Sequence, residues 1–402
     1  MRAVVALSMN PRGEDAAREA TSQIRAALGD SPVSGALCWV SPEHADDLQR
    51  LLPALCLGLG TRVLAGCVSA GVTVGGREVM DGPALGLMAF TEANVEARLL
   101  HDLYAEPERA AREALHGAGP QDLVVLMPTA STFKATPFLE YVASEHPRAR
   151  VIGGGAANPD GDDLVFTGQG LSRDGLAALV IRDCQPEVRL TQSCRSLSRG
   201  HLITRCEGAD VLELDGKPAL QVLAALLAAR DDGDDSPLLA GHAGPGDRVG
   251  AEGLFVRPFM GLDRARAAVR LSQPAQEGDA LLFLTRAVDS SRADLNAMMI
   301  ETLGVLRRRR PAFALMTNCA GRGAEFQGIP DYDAAVVSGF LDGVPLAGFF
   351  GGFELGPFRG KTQLHLFSAV LAVGGEAPRW PVSPPPRLAK GTSSGTPRRR
   401  ER

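Results

Sequence analysis

The feature of this sequence that most limits its fold is one unit used three times: apolar strand, helix, apolar strand, glycine. In the first copy, residues 3–8 (AVVALS) read as a buried strand. Residues 13–28 read as an amphipathic helix with Glu14 and Asp15 at its start. A strand at 36–40, a helix around 43–57 and a strand at 62–65 lead into Gly66-Cys67-Val68-Ser69-Ala70-Gly71. A polar turn region and an apolar exit strand at 84–90 follow. The second copy has a strand at 123–127 ending in Pro128-Thr129-Ala130-Ser131 and a helix at 137–145. Its next strand, 151–152, runs into Gly153-Gly154-Gly155-Ala156-Ala157-Asn158, and strands at 164–167 and 176–182 close it. The third copy has a strand at 313–316 ending in Thr317-Asn318-Cys319. A strand at 345–348 then runs into Phe349-Phe350-Gly351-Gly352, with an exit strand at 366–373. Aligning Gly66, Gly153 and Gly348 places the polar strand ends Ser41, Thr129 and Asn318 at 25, 24 and 30 positions upstream. Repeats of this size arise when similar units stack or pair around a pseudo-symmetric cleft. Ordinary strand–helix periodicity produces a similar pattern by convergence, but the exit strands also align, which favours the repeat.

At 402 residues the chain is too long for one ordinary core, so two domains are expected. The fold class is α/β: repeated strand–helix–strand units forming two related sheet-containing domains, with helices packed on the sheets. Between the second and third copies, 186–216 read as extended, irregular β structure ending in ELDGKPAL. A helix over 218–230, an acidic loop at 231–237 (DDGDDSP), a strand at 278–286 and a long helix at 289–306 follow. Arg307 to Arg310 suit the negative end of that last helix. From 376 to 402 the composition shifts to Pro, Ser, Gly and Arg, which cannot bury enough apolar surface to order itself, so this tail is expected to be disordered.

Lys and Arg number 42 against 47 Asp and Glu, a net charge of −5, which makes no electrostatic case for nucleic acid or anionic lipid. No apolar stretch approaches the roughly 20 residues of a membrane span, and the N-terminus lacks a signal-peptide core. The seven cysteines are scattered, without a CxxC pair, as expected for reduced thiols in a cytoplasm. No cofactor is expected.

The glycine-rich strand ends do not form a phosphate cradle, because neither GxxxxGK[ST] nor a helix-opening GxGxxG is present. The densest chemistry is in 317–334, where a thiol, a guanidinium, glycines and two carboxylates sit at the carboxyl end of an apolar strand. Ligands bind at that end in open α/β sheets. Arg322 suits a ligand carboxylate. Asp331 and Asp333 suit an ammonium group or hold Arg322. Cys319 is either an activated nucleophile or a buried, inert thiol, and the missing sequence-evident base favours the second. His365 is the histidine placed to partner it, with a hydrogen-bonded structural histidine as the favoured alternative. No HExxH, GxSxG or paired-carboxylate spacing occurs, so an enzyme is the minority reading.

The runs NCAGRGAEFQGIPDYD, GVPLAGFFGGFELGP and LHLFSAVLAV resemble the C-terminal half of FIST-domain proteins, and QSCRSLSRGHLITRCEGADVLELDGKPAL resembles the start of that half. HADDL, VLAGCVSAGVTVGGREVMDGPALGLMA and VIGGGAANPDG resemble the N-terminal half, so the resemblance covers about residues 1–374. It implies a FIST N-terminal-like domain at 1–185 holding two copies and a FIST C-terminal-like domain at 186–375 holding the third. It also implies an intracellular sensory module for signal transduction that binds a small ligand, with an amino acid expected. Family members with haem act as gas sensors, for which His365 would be the axial ligand here. No kinase, receiver or F-box segment is recognisable, so a stand-alone sensor working through a downstream signalling protein is expected, in an oligomeric state the sequence leaves open. The sequence departs from the family at Gly351-Gly352-Phe353-Glu354-Leu355, where a more polar stretch is expected. The expected ligand site lies in a cleft between the halves. Asn318, Cys319, Arg322, Gly323, Asp331, Asp333, Gly348, Phe349, Phe350 and Glu354 line one side. Cys67, Ser69, Gly154 and Asn158 line the other.

Overall fold

Strands that are apolar along their whole length are buried on both faces when helices cover one face and a second sheet the other. In the computed structural model, the strands of the three copies are used in this way. It describes residues 1–159, 161–229, 236–244, 254–306 and 309–375. Asp160, most of the acidic loop (231–235), Arg307 and Arg308, and the tail 376–402 lie outside the described residues.

The first unit comprises β1 (Arg2–Ser8), α1 (Gly13–Leu28), β2 (Gly35–Val40), α2 (Leu48–Leu59), β3 (Leu64–Val68), the hairpin β4 (Gly71–Val74) and β5 (Arg77–Val79), and β6 (Leu85–Thr91). The second repeats it: β7 (Val95–His101), α3 (Pro107–Ala114), β8 (Leu123–Pro128), α4 (Ala135–Glu145), β9 (Arg150–Gly154), the hairpin β10 (Val165–Thr167) and β11 (Gly170–Ser172), and β12 (Gly175–Ile181). The third starts with β13 (Glu187–Thr191) and is interrupted by an insert. The insert holds β14 (Cys194–Ser196), β15 (His201–Glu207), β16 (Asp210–Leu214), β17 (Lys217–Pro218), α5 (Ala219–Ala228), β18 (Leu238–Ala243), β19 (Phe255–Asp263), β20 (Ala268–Leu271) and β21 (Ala280–Arg286). The unit resumes with α6 (Val288–Leu306), β22 (Phe313–Cys319), α7 (Ala324–Gln327), α8 (Tyr332–Leu341) and β23 (Leu346–Gly351). The hairpin β24 (Glu354–Phe358) and β25 (Lys361–His365) and the exit strand β26 (Ala369–Gly374) complete it.

Each unit builds four strands of its own sheet in the same order, β1-β6-β2-β3, β7-β12-β8-β9 and β13-β26-β22-β23, with only the last pair parallel. The free edge of each is completed by another unit's hairpin. β3 receives β10–β11, β9 receives β24–β25, and β23 receives β4–β5. The exchange therefore runs once around a pseudo-threefold axis. The three sheets enclose one central core, where Trp39 of β2 stacks on Phe349 of β23 with centroids 5.8 Å apart. Helices α1 and α2, α3 and α4, and α6 and α8 cover the outer faces.

The aligned glycines are equivalent in three dimensions. Gly66, Gly153 and Gly348 face Cys38, Leu126 and Met316 across the parallel pair, three residues before Ser41, Thr129 and Cys319. A Cβ at each would lie 1.9, 1.8 or 1.7 Å from that neighbour's carbonyl oxygen, so only glycine permits the approach. The strand-end alignment shifts by one residue in the third copy. Ser41 N donates to Ala84 O, Thr129 N to Gly175 O, and Cys319 N to Ser368 O. The equivalent of Ser41 and Thr129 is thus Cys319, and Asn318 corresponds to Val40 and Pro128. The region expected as a polar turn in the first copy holds the exchanged hairpin β4–β5, turned by Gly75 at φ +59°, while the strand expected at 164–167 is β10 of the second. The third exit strand starts at Ala369 rather than 366, because 361–365 is already a hairpin arm and Phe367, at φ +58°, turns the chain between the two.

The insert forms an antiparallel barrel, β21-β15-β16-β20-β19-β18, closed by the pairing of β18 with β21 and extended by β14. Its own apolar core includes Ile203, Val269 and Phe283. It meets the body through Phe367, through Arg257 Nη2, which donates to Leu364 O at 2.7 Å, and through Arg286, which donates to Gly321 O. Among the described residues no helix is long and apolar enough to cross a membrane. All seven cysteines are free.

Candidate functional site

The ends of the three parallel strand pairs converge near the pseudo-axis and bond to one another: Ala70 N donates to Phe350 O, Ala157 N to Val68 O, and Gly352 N to Gly155 O. The copies share a backbone here, so their side chains can be compared position by position. Cys67, Gly154 and Phe349 are equivalent, and across the exchanged hairpins they face Val165, Glu354 and Val72. The third copy's hairpin thus carries a carboxylate where the other two carry valine. Its strand end carries the Asn318 amide where they carry Val40 and Pro128.

Burying a polar group without a partner is costly, and this is done repeatedly here. Glu354 is 0% exposed; its Oε2 accepts from Ser368 N at 3.2 Å and Ser368 Oγ at 2.5 Å, but its Oε1 has no partner. Asn318 is fully buried with neither side-chain atom bonded. Burial pushes the Glu354 carboxyl well above its usual range, opposed by the bonds from Ser368 and by Arg322. Cys319 lies close enough to this carboxyl to act on it. Burial first and Glu354 second push its thiol up, outweighing the backbone N–H groups of Gly321 and Phe367 and the nearby Arg286. A thiol held in its protonated form is a poor nucleophile.

On the helix-covered face of the third sheet, Arg322 is 1% exposed. Its Nε donates to Asp333 Oδ2 at 2.8 Å and its Nη1 to Ser193 Oγ, while Nη2 has no partner. Gln327 Nε2 donates to the other Asp333 oxygen at 2.9 Å. Of the two readings open for Asp333, the geometry is that of holding Arg322. Asp331 lies apart: its Oδ1 accepts from Glu78 N at 2.6 Å and its Oδ2 pairs with Arg77, fastening the exchanged hairpin β4–β5.

Glu78 on that hairpin accepts from Ala334 N at 2.9 Å, and burial, then Asp333, pushes it from an ordinary 4.5 up to about 7. The folded state therefore keeps a proton that the unfolded chain releases, so stability falls as pH rises from about 4.5 to about 7 and is level above. Glu78→Gln is expected to remove this fall. Urea midpoints of the variant and the wild type should diverge in the variant's favour across that window, by no more than about 3 kcal/mol. A difference that does not grow with pH would sink the assignment.

The structure brings Cys319, Glu354 and Gly154 together, with Asn318 adjoining Cys319 on β22 and Arg322 and Asp333 behind the sheet. Gly154 pairs with Glu354, and a Cβ on it would lie 2.4 Å from Phe353 O. Gly323 is bare because Met80 packs on it, and Gly348 serves the strand approach described above. Phe349 lies in the central core, and Phe350 is buried with its carbonyl bonded to Ala70. Cys67 also lies in the central core. Ser69 Oγ donates to Gly71 O at 2.9 Å, and Asn158 bonds to Asp162 and Asp163 in its own loop. His365 faces Glu354 in register, but its ring stands among Phe255 and Phe358 with Nε2 near Gly356 O; burial lowers it to about 3. Among the described residues no cluster of three or more His, Cys, Asp or Glu is arranged to hold a metal. A cavity of about 810 Å³ between α2 and β10–β11, lined by Leu52, Cys56 and Gln169, holds none of the sequence-predicted residues.

Sequence reasoning missed Ser368, Glu78 and Arg286. The repeat itself would have singled out Ser368, since it stands where the other two copies have Ala84 and Gly175 at the start of the exit strand.

Comparison with known proteins matches the FIST N domain to residues 34–217 and the FIST C domain to residues 219–357. An uncharacterized protein of Mycobacterium bovis is 26% identical over 388 residues, covering 93% of this chain and 98% of that one. An uncharacterized protein of Mycobacterium tuberculosis H37Rv is 26% identical over 382 residues, covering 93% and 99%. Among solved structures, a cyanuric acid hydrolase from A. caulinodans aligns over 93% of this chain and 99% of its own, at 12% identity and a TM-score of 0.30.

Proposed function

The chain belongs to the FIST family, and from that premise we propose that it binds a small molecule, an amino acid, at the end of β22 and relays its presence to a signalling partner. FIST domains are associated with sensory signal transduction. The observation that carries the binding reading is the set of buried polar atoms left without partners, Asn318 Oδ1 and Nδ2, Glu354 Oε1 and Arg322 Nη2. Asn318 and Glu354 stand at positions that the other two copies fill with apolar residues. The ligand would lie at the seam where Gly154 of the first half meets Glu354 of the second. A carboxyl that favours its neutral form and an amide offer both donors and acceptors to such a molecule. The free cysteines suit a reducing compartment, so a cytoplasmic location is part of the proposal.

The test is thermal unfolding with the twenty L-amino acids and short-chain carboxylates at millimolar concentration. A ligand present at a hundred times its Kd adds about 2.7 kcal/mol, which is several degrees in Tm. At least one compound should reach that shift, and Asn318→Leu should abolish it. Silence across the panel, or a full response in the Asn318→Leu protein, would show that these atoms hold only buried water.

A further inference from the structure

Arg286, the last residue of β21, reaches from the barrel to the segment that follows Cys319. Its Nη2 donates to Gly321 O, and its guanidinium lies 4.1 Å from the Phe326 ring centroid and 5.0 Å from that of Phe367. The aromatic faces and the carbonyl hold it in one orientation. Its Nε is buried with no partner. Burial lowers its pKa; the charged or titratable groups acting on it are Cys319, Cys194 and Arg322, none of them a carboxylate. The contrast with other arginines is clear: Arg322 has Asp333, Arg182 has Glu96 and Asp122, and Arg270 has Asp210. Arg286 is thus a fixed guanidinium without a counter-ion. Cys319 interacts with both Arg286 and Glu354.

We propose that Arg286 binds the carboxylate of the ligand, while Glu354 receives its amino end, so that the ligand bridges the barrel and the three-sheet body. The proposal rests on the binding reading above and narrows it to molecules with a carboxylate at one end and a hydrogen-bonding nitrogen at the other. Arg322 already has the Asp333 carboxylate and Ser193 as partners, whereas no carboxylate is paired with Arg286 among the described residues. Guanidinium–carboxylate pairing is strong and directional. A preorganised cation loses little side-chain freedom on binding.

Binding of L-amino acids and of their primary α-amides, which keep the ammonium and lose the carboxylate, is measured calorimetrically on wild type, Arg286→Gln and Arg286→Lys. For any amino acid that binds wild type, the amide should bind at least tenfold more weakly. Arg286→Gln should weaken the acid at least tenfold and leave the amide within twofold, with Arg286→Lys in between. Equal wild-type affinity for acid and amide overturns the proposal while the binding reading stands. So does an Arg286→Gln protein that keeps the acid or loses both probes alike. Should Arg286→Gln not fold, the ratio of acid to amide affinity in Arg286→Lys decides, since an unchanged ratio speaks against Arg286. If neither acids nor amides bind wild type, the binding reading fails and this proposal with it.

Discussion

Gly348→Ala is expected to prevent the chain from reaching its native state. The added methyl would lie 1.7 Å from Met316 O, 2.7 Å from its carbonyl carbon and 3.0 Å from its nitrogen, all backbone atoms that cannot rotate away. Relief requires β22 and β23 to separate, which pulls Phe349 off Trp39 and breaks the edge that receives β4. A folded domain has only about 5–15 kcal/mol in hand. An overlap in the backbone of a buried parallel pair belongs to the rare changes that cost more than about 4–5 kcal/mol. Soluble yield and the urea transition report the outcome. Gly304→Ala is the matched control: it lies in α6 with nothing within 4 Å of the new Cβ, and should add about 0.5–1 kcal/mol. A Gly348→Ala protein unfolding within 1 kcal/mol of wild type would refute the account of all three glycines.

Asp333→Ala should be the most damaging single change in the polar cluster. It leaves the Arg322 guanidinium 1% exposed with Ser193, a distant carbonyl and the carboxyl groups of Glu354 and Asp294, neither bonded to it, and strips Gln327 of its acceptor. Breaking a buried pair from one side costs about 3–5 kcal/mol, because the remaining charge is stranded. Removing both charges is a different matter. Arg322→Met with Asp333→Leu should recover more than half the loss, since the pair's own desolvation cost disappears too. A double-mutant cycle read by chemical denaturation measures this. If Asp333→Ala costs under 1 kcal/mol, Arg322 has another counter-charge and the cluster has been misassigned.

The three units were legible because each must place glycine at the same tight approach, and long apolar strands and an amphipathic helix announce themselves by period. The exchanged hairpins were not. The strand at 164–167 was legible, as β10, but β4, β5 and β11 are three or four residues each, too short for alternation to emerge beside Gly75, Gly76, Gly168 and Gly170. Their pairing with another unit leaves no local trace. The one-residue slip at Asn318 arose because Asn318 and Cys319 are both polar, and only the bond from Cys319 N to Ser368 O separates them. The segment from Asn318 to Asp333 stood out by composition, but composition cannot tell a guanidinium awaiting a ligand from one held by Asp333. Arg286 was hidden for the opposite reason. It ends an ordinary apolar run, and its neighbours Gly321, Phe326 and Phe367 are distant in sequence.

The hairpin exchange also governs how the chain must be made. During synthesis the β9 edge emerges long before its partner: residues 150–154 must wait for 354–365 before their outer hydrogen bonds are met. The hairpin at 71–79 must likewise wait for β23. Ring closure therefore falls to residues that leave the ribosome long after the edges they complete, and contacts of such sequence separation are slow to form. Until then, apolar strand edges stand open to neighbouring chains. The symmetry that makes the finished molecule edge-efficient thus leaves its nascent form dependent on completion, and a chain halted before residue 350 would have two of its three sheets unclosed.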